Sequence, residues 1–565
     1  MSATARFPVV LLWHMHQPQY RDALSGVQVL PWTWLHAIKD YTDMAAHLEA
    51  NPRAQAVVNF TPVLIEQIES LACTMSAHLA GTVVSLDPVL ALLTDRPLPP
   101  EPGRRLELVH ACLRAHPTHL IGRYPAYAAL AELANTLADA KYIDYASEQF
   151  LRDLAVWFHL AWLGETVKRD NIQIERLLQQ QRGFSATQRR TLLELIGELL
   201  STLLPRYRAL ARRGQIELSL SPYAHPILPL LIDLNSAREA QPDALLPAAA
   251  TEYPGGLQRA AWHLSEATAV IERSLSVKPE GCWPSEGAIS AATLQLLDAH
   301  GFKWVASSAT VLHGSLQGEA GGLSDLAGLR RAWQPKGQQL RCYFRDDALS
   351  DLIGFTYSTW HAEDAVQHFM RELERTAEDS RRAGGDMVLI ALDGENAWEH
   401  YPFNGYYFLR GLYTALTEHP WLQLTTLGRH SAEGKEPLQL PGVRAGSWVN
   451  GSLATWIGSP DKNAGWDLLI EAKRACDAAF SARQFSVEER GTIERQLAQC
   501  ESSDWFWWFG DYNPAEAVRE FDQLFRHQLT RLYEMLHLPV PAALSRIISV
   551  GRGDPEAGGV MQRTR

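Results

Sequence analysis

A chain of 565 residues, 46% of them hydrophobic, can bury a large core as one big domain with additions or as two to three domains. Its 52 Lys and Arg against 64 Asp and Glu leave a net charge of −12 with no basic stripe, so nucleic acid is not an expected partner. Six scattered cysteines, at 73, 112, 282, 342, 476 and 500, show no paired metal or redox spacing, and no apolar run suits an export signal or a membrane span. The expected address is a reducing cytoplasm.

Apolar, β-prone segments are predicted at Pro8 to Trp13, Ala56 to Phe60, Ile216 to Leu220, Lys303 to Ala306, Leu340 to Phe344, Met387 to Leu392 and Leu422 to Thr426, with a short one before Trp283. They alternate with helical stretches, the pattern of an α/β barrel or a doubly wound sheet. From about Pro62 to Arg213 the sequence reads as almost wholly helical, an insertion between two strands that could form a lid. The helix from Ala362 to Arg381 stops at Gly384-Gly385, and Ser431 to Gly446, rich in Gly, Pro and charge, reads as a linker. Beyond it, Ala464 to Ser481, Ser486 to Cys500 and Pro514 to Leu536 predict a C-terminal helical domain. The expected layout is a catalytic α/β domain over 1–430 with its insertion at about 62–213, a helical domain over 446–540, and a disordered tail over 551–565.

Two acidic residues stand where apolar strands run out: Glu286 in Trp283-Pro284-Ser285-Glu286-Gly287, and Asp393 in Leu392-Asp393-Gly394-Glu395-Asn396. Strand ends are where barrel scaffolds present catalytic groups, and two carboxylates so placed suggest acid/base or nucleophilic chemistry on a sugar. Glu395 and Glu399 rival Asp393, although Glu395 also suits a helix N-terminal charge. His14-Met15-His16-Gln17-Pro18 follows the first strand; its histidines could ligate a metal, bond sugar hydroxyls, or be satisfied in the wall. Glu217 lies in a strand leading to Pro222-Tyr223-Ala224-His225-Pro226 and either points inward near the reacting groups or faces out as a solvated charge. Any single one of the 18 tryptophans is most often core, but as a set those beside polar loop residues suit stacking on sugar rings.

These four segments, in this order, resemble glycoside hydrolase family 57. Gly446-Ser447-Trp448-Val449-Asn450-Gly451 with Trp456-Ile457-Gly458, and Ser503-Asp504-Trp505-Phe506-Trp507-Trp508, fit as well, so the resemblance spans nearly the whole chain. Trp-Pro-Ser-Glu-Gly and Leu-Asp-Gly-Glu-Asn look most like the amylopullulanase and α-amylase group. Branching enzymes and some glucanotransferases are less similar at the first, where a Cys usually follows the Glu and Gly287 stands here. The resemblance implies an incomplete (β/α)7 barrel followed by a helical domain that helps build the cleft. It makes Glu286 the nucleophile and Asp393 the general acid/base of a retaining enzyme cleaving α-1,4 bonds of glycogen, starch or maltodextrin, with α-1,6 bonds left open.

On that reading His14, His16, Gln17, Glu217, His225, Trp283, Trp398, Trp448, Asp504 and Trp505 would bind substrate, with Asp346 and Asp351 either reaching the cleft or solvated in a loop. The chemistry requires no cofactor; a structural Ca²⁺ is compatible, but no Asp-rich calcium loop indicates one. The expected partner is an α-glucan or maltooligosaccharide, with neither nucleic acid nor membrane. A 4-α-glucanotransferase or branching enzyme would use the same site. A metal-dependent carbohydrate hydrolase or deacetylase would instead use His14 and His16, against which Gln17 is a poor ligand and no metal-binding Asp accompanies the pair. A silent glucan-binding protein would need the tryptophans but neither carboxylate.

Overall fold

A computed structural model describes residues 6–317 and 328–553; most of the predicted tail, residues 554–565, lies outside the described residues. The described strands are β1 (Phe7–Met15), β2 (Ala56–Phe60), β3 (Ile216–Leu220), β4 (Gly281–Cys282), β5 (Trp304–Ser308), β6 (Trp333–Pro335), β7 (Arg341–Arg345), β8 (Val388–Asp393), β9 (Leu422–Leu424) and β10 (Leu438–Leu440). They make one sheet in the order β10-β6-β7-β5-β4-β3-β2-β1-β8, with β9 paired to β1. Every pairing is parallel except β6 with β7. The architecture is mixed α/β with a parallel-dominated sheet and many helices.

The first strand shows why these sequences pair this way. Val9 through Trp13 are all fully buried, so both faces of β1 are covered and the strand reads as an unbroken apolar run. Its residues alternate between two cores: Val9, Leu11 and Trp13 join the larger one beneath the helices, whereas Val10 and Leu12 meet Val57, Trp304, Ala306, Tyr343, Leu389 and Ala391 in a smaller inner one. Alternate residues of β1, β2, β5, β7 and β8 can share one interior only if the sheet curls. The curl brings β7 against β8, where the Asp346 N–H donates to the Leu389 carbonyl at 2.7 Å.

Because the strands are parallel, their carboxyl ends open on one side. His14 is level with Asp393, and Leu220 with Cys282, so four functional segments leave the sheet from the same rim. Between β2 and β3 lie helices from Pro62–Leu79 to Ala186–Arg212, the last opened by a capping box between Ser185 and Gln188. After the sheet come helices Pro460–Ala482, Val487–Cys500, Ser503–Trp508 and Ala515–Met535.

The C-terminal helices are locked to the α/β body by a buried ionic cluster. Glu501 accepts from Arg259 Nη2 at 2.7 Å, Tyr253 Oη at 2.7 Å and His263 Nε2 at 2.8 Å. Burial alone would raise its carboxyl pKa, but Arg259 and His263 outweigh that and hold it well below the usual range.

One expectation fails. The predicted linker from Ser431 to Gly446 instead carries β10, which pairs with β6. Both strands are three residues long, too short to show periodicity in sequence.

Candidate active site

Glu286 is presented by a strained turn. Pairing with β3 continues one residue past β4, as the Trp283 N–H donates to the Leu220 carbonyl at 2.9 Å and Ser221 Oγ to the Trp283 carbonyl at 2.7 Å. The chain then turns through Ser285–Gly287, where Glu286 adopts φ 59°. A left-handed non-glycine residue costs on the order of 1–3 kcal/mol and persists only where its surroundings fix it. Here the Trp448 segment does so: the Trp448 N–H donates to the Glu286 carbonyl at 3.0 Å and its Nε1 to Glu286 Oε2 at 2.8 Å, and Ile289 bridges Gly446.

Asp393 ends β8. Its Oδ2 accepts from Asn396 Nδ2 at 3.0 Å, and the next residue turns back so that the Gly394 N–H donates to the His14 carbonyl at 2.7 Å. A Cβ at Gly394 would lie 2.2 Å from Met15 Sδ, which explains glycine there. The rival Glu395 is buried, its Oε1 accepting from the His16 N–H at 3.2 Å.

Both carboxyl groups hold protons more tightly than usual. Burial, then the charge of Asp393, pushes Glu286 up to about 8 against the opposing Trp448 hydrogen bond. Burial pushes Asp393 up to about 6 against Asn396, His16 and Arg345. Two like charges in one desolvated cleft titrate as a pair, so near neutral pH the pair carries one proton.

Beside them stand three imidazoles. His14 Nδ1 meets Asn59 Oδ1 at 2.7 Å, and its Nε2 lies 3.2 Å from His225 Nε2. His225, itself left-handed at φ 61°, stacks on His16 with ring centroids 3.9 Å apart and puts Nδ1 2.9 Å from Ser503 Oγ. His16 bonds Thr61 Oγ1 through Nδ1 at 3.0 Å and Asp504 Oδ2 through Nε2 at 2.9 Å. Burial pushes His14 down to about 3 and His225 well below its ordinary value, so both are neutral. The Ser503 and Asp504 contacts make the helix Ser503–Trp508 part of the site.

A cleft of about 1460 Å³ is lined by His14, His16, Gln17, Glu286, Asp393, Trp448 and Asp504, with Trp32, His36, residues 113–118 of the helical insertion, Trp507 and Trp508 around them. His225 lies behind, in contact with His14 and His16.

Four residues expected to bind substrate are placed elsewhere. Glu217 is three residues before the carboxyl end of β3, roughly 10 Å from the rim, and its carboxylate accepts from Trp304 Nε1 at 2.6 Å and the Gly428 N–H at 2.8 Å. Trp398 is buried against Trp13 and Tyr401, donating to the Gly394 carbonyl. Trp505 is buried against Phe521 and Phe525, donating to the Gln499 carbonyl. Trp283 is buried as well, edge-on to Trp448 with centroids 5.1 Å apart, and supports that ring from below. Large aromatic surfaces are most favourable in a core, and these three rings obey that preference.

Asp346 is ion-paired with Arg330, whereas Asp351 does reach the cleft beside Arg345 at 3.3 Å. Arg345 itself escaped the sequence reading. It ends β7, is fixed by Asp347 at 2.7 Å and the Ala391 carbonyl at 3.0 Å, and lies 5.0 Å from the Trp448 ring centroid. Its position at a strand end was the available signal. For metal ligation, one ligand atom each of His16, His225 and Asp504 fall within 4.8 Å of one another. The acid that the His-x-His motif lacks in sequence arrives from 488 residues away.

The profile of the family described as Glycosyl hydrolase family 57 matches residues 10–437. No curated protein sequence matches significantly. Among solved structures, a branching enzyme of Thermococcus kodakaraensis is similar with a TM-score of 0.56 and 15% identity over 94% of this chain and 88% of that one. A branching enzyme of Pyrococcus horikoshii gives 0.54 and 14% over 99% of each chain, and an α-amylase of Thermotoga maritima 0.55 and 13% over 94% and 96%. At these identities the likeness is one of fold, while the profile match covers most of the sequence. The chain is an enzyme and belongs to glycosyl hydrolase family 57.

Proposed function

We propose that this enzyme cleaves α-glucosidic bonds of an α-glucan with retention of configuration, Glu286 acting as nucleophile and Asp393 as general acid/base. The observation that carries the reading is the pair itself: two strand-end carboxyls facing one cleft, with one proton between them near neutral pH and Trp448 aligning one oxygen of Glu286. Double displacement needs Glu286 ionised and the proton on Asp393. A sugar ring filling the cleft expels water from around Asp393, which favours its neutral form, while the Trp448 N–H stays on Glu286. Glu286 then attacks the anomeric carbon as Asp393 protonates the leaving oxygen. In the second step Asp393, its carboxylate stabilised by nearby Arg345, takes a proton from the incoming water or sugar hydroxyl as that oxygen bonds the anomeric carbon and the carbon's bond to Glu286 breaks, releasing Glu286 as a carboxylate.

The neutral imidazoles, Gln17 and Asp504 suit hydrogen bonding of sugar hydroxyls beside the reacting carbon, and Trp448 suits stacking. In this reading the curled sheet is an incomplete barrel of seven parallel strands, β1 to β5 with β7 and β8, in a domain over 1–430 that is completed by the helices of 446–540. A cytoplasmic location fits the six free thiols.

Transfer to a second sugar is favoured over hydrolysis by one feature, the aromatic rim of Trp32, Trp507 and Trp508, which offers an acceptor chain surfaces to stack on. Product analysis decides between them and tests the whole reading, using wild type and Glu286→Gln on maltoheptaose and pullulan. New reducing ends absent from the variant establish hydrolysis through Glu286, and maltotriose from pullulan adds α-1,6 cleavage, the amylopullulanase pattern. Longer or branched chains without net reducing ends establish transfer, and unchanged activity in the variant contradicts the assignment.

A further inference from the structure

We propose that His16, His225 and Asp504 form a binding site for a borderline-soft divalent cation of the zinc or cobalt type, and that the bound ion inhibits the enzyme by recruiting Glu286 as a further ligand. Two imidazoles and a carboxylate, with ligand atoms within 4.8 Å, suit such an ion rather than calcium or magnesium, which prefer all-oxygen sets.

The hydrogen bonds around the cluster leave each ring nitrogen in a usable state. His14 stands behind the cluster, its Nδ1 2.7 Å from the Asn59 side-chain amide and its Nε2 3.2 Å from His225 Nε2, so one proton is shared across the His14–His225 contact. With its proton on Nε2, toward His14, the His225 ring presents the Nδ1 lone pair to the ion. That lone pair is covered only by the Ser503 hydroxyl at 2.9 Å, and Glu286 Oε1 is 4.0 Å away. His14 is the outer partner of the ligating His225 ring. On His16 the ion takes Nε2, which now faces Asp504 at 2.9 Å, and the ring proton occupies Nδ1, where Thr61 Oγ1 accepts it. Both rings ligate as neutral bases.

Tetrahedral bonds of about 2.0–2.1 Å separate ligand atoms by roughly 3.3 Å. The cluster therefore needs only side-chain shifts of an ångström or so, and Glu286 Oε1, 4.0 Å from His225 Nδ1, is the neighbouring carboxylate that the ion would recruit. An ion there occupies the nucleophile and the space of the sugar ring together. The inhibition rests on Glu286 being the nucleophile; the binding does not.

The test uses the full chain, stripped of metal, titrated with Co²⁺ for its four-coordinate visible spectrum and with Zn²⁺ by calorimetry. Asp504→Asn keeps an oxygen to accept from His16 and so preserves the fold, His16→Gln is the second variant, and Cys73→Ser controls for the exposed thiol. One ion per chain is expected, weakened at least tenfold in Asp504→Asn and His16→Gln and unchanged in Cys73→Ser. In wild type Zn²⁺ should suppress cleavage of maltoheptaose and EDTA restore it. Equal binding by folded Asp504→Asn and His16→Gln, or none in wild type at millimolar Zn²⁺, overturns the site. Stoichiometric binding with full activity overturns the recruitment of Glu286 alone.

Discussion

Trp448 grips Glu286 at two points, backbone to backbone at 3.0 Å and indole to carboxylate at 2.8 Å, although 162 residues separate them. The first contact holds the left-handed turn and the second aims the carboxylate and favours its charged form. Trp448→Phe keeps the first and removes the second. A hydrogen bond to a charged group is worth about 1.5–3 kcal/mol, so kcat should fall roughly 10- to 100-fold. The basic limb of the pH profile should move upward, because the bond lost is one that lowers the Glu286 pKa. Steady-state kinetics across pH check both.

The wild-type profile of kcat/KM should be a bell, rising through about 6 and falling through about 8. Below the lower value both carboxyls are protonated and no nucleophile exists; above the higher one both are ionised and no acid remains. The same shifts predict a stability cost. A carboxyl whose folded pKa is raised binds its proton more tightly in the folded state, so stability is greatest below its unfolded value, near 4, and is lost as pH rises through 8. Glu286→Gln should therefore raise Tm by several degrees above pH 8 and hardly at all near pH 4, as calorimetry would show.

Glu501 couples stability to the site, because it lies three residues before Asp504. Glu501→Gln leaves Arg259 buried without its counter-charge, which costs about 3–5 kcal/mol. Its carboxyl is depressed in the fold, so the wild-type contribution is present above the ordinary carboxylate range and lost only in strong acid. Denaturant unfolding of the variant should show the loss at neutral pH. Activity should fall at lower denaturant than helix content, as the segment bearing Ser503 and Asp504 loosens first.

Cleft and core aromatics should separate cleanly. Trp507→Ala should raise KM for maltoheptaose roughly 3- to 10-fold, the loss of about 0.5–1.5 kcal/mol of stacking, with little change in Tm. Trp505→Ala should instead cost about 3–5 kcal/mol of stability. Glu217→Gln should leave kcat/KM within about twofold while destabilising by about 1–3 kcal/mol, since one of its two buried acceptors becomes a donor.

The contrast between Glu217 and the two proposed catalytic acids shows what was readable in sequence. Asp393 directly follows the last apolar residue of β8, Glu286 comes three residues after Trp283 in the turn beyond β4, and each precedes a glycine; that local pattern locates a rim. Glu217 has the alternation of an inward residue, but its distance along the strand, not its parity, keeps it from the cleft. Trp505 and Trp507 sit on one six-residue helix, and no local signal tells which side packs on Phe521 and Phe525. The pairing of His16 with Asp504 depends on how the terminal helices dock, and that is set by the buried Glu501 cluster, whose members are spread over residues 253–501.

The most direct test of the central claim is mass spectrometry of the enzyme after reaction with a slow fluorinated α-glucosyl fluoride, which forms the first covalent intermediate but releases it slowly. One added glycosyl group is expected, mapped to the peptide containing Glu286 and absent from Glu286→Gln. An adduct on another carboxylate, or turnover with inverted configuration and no adduct, would contradict it.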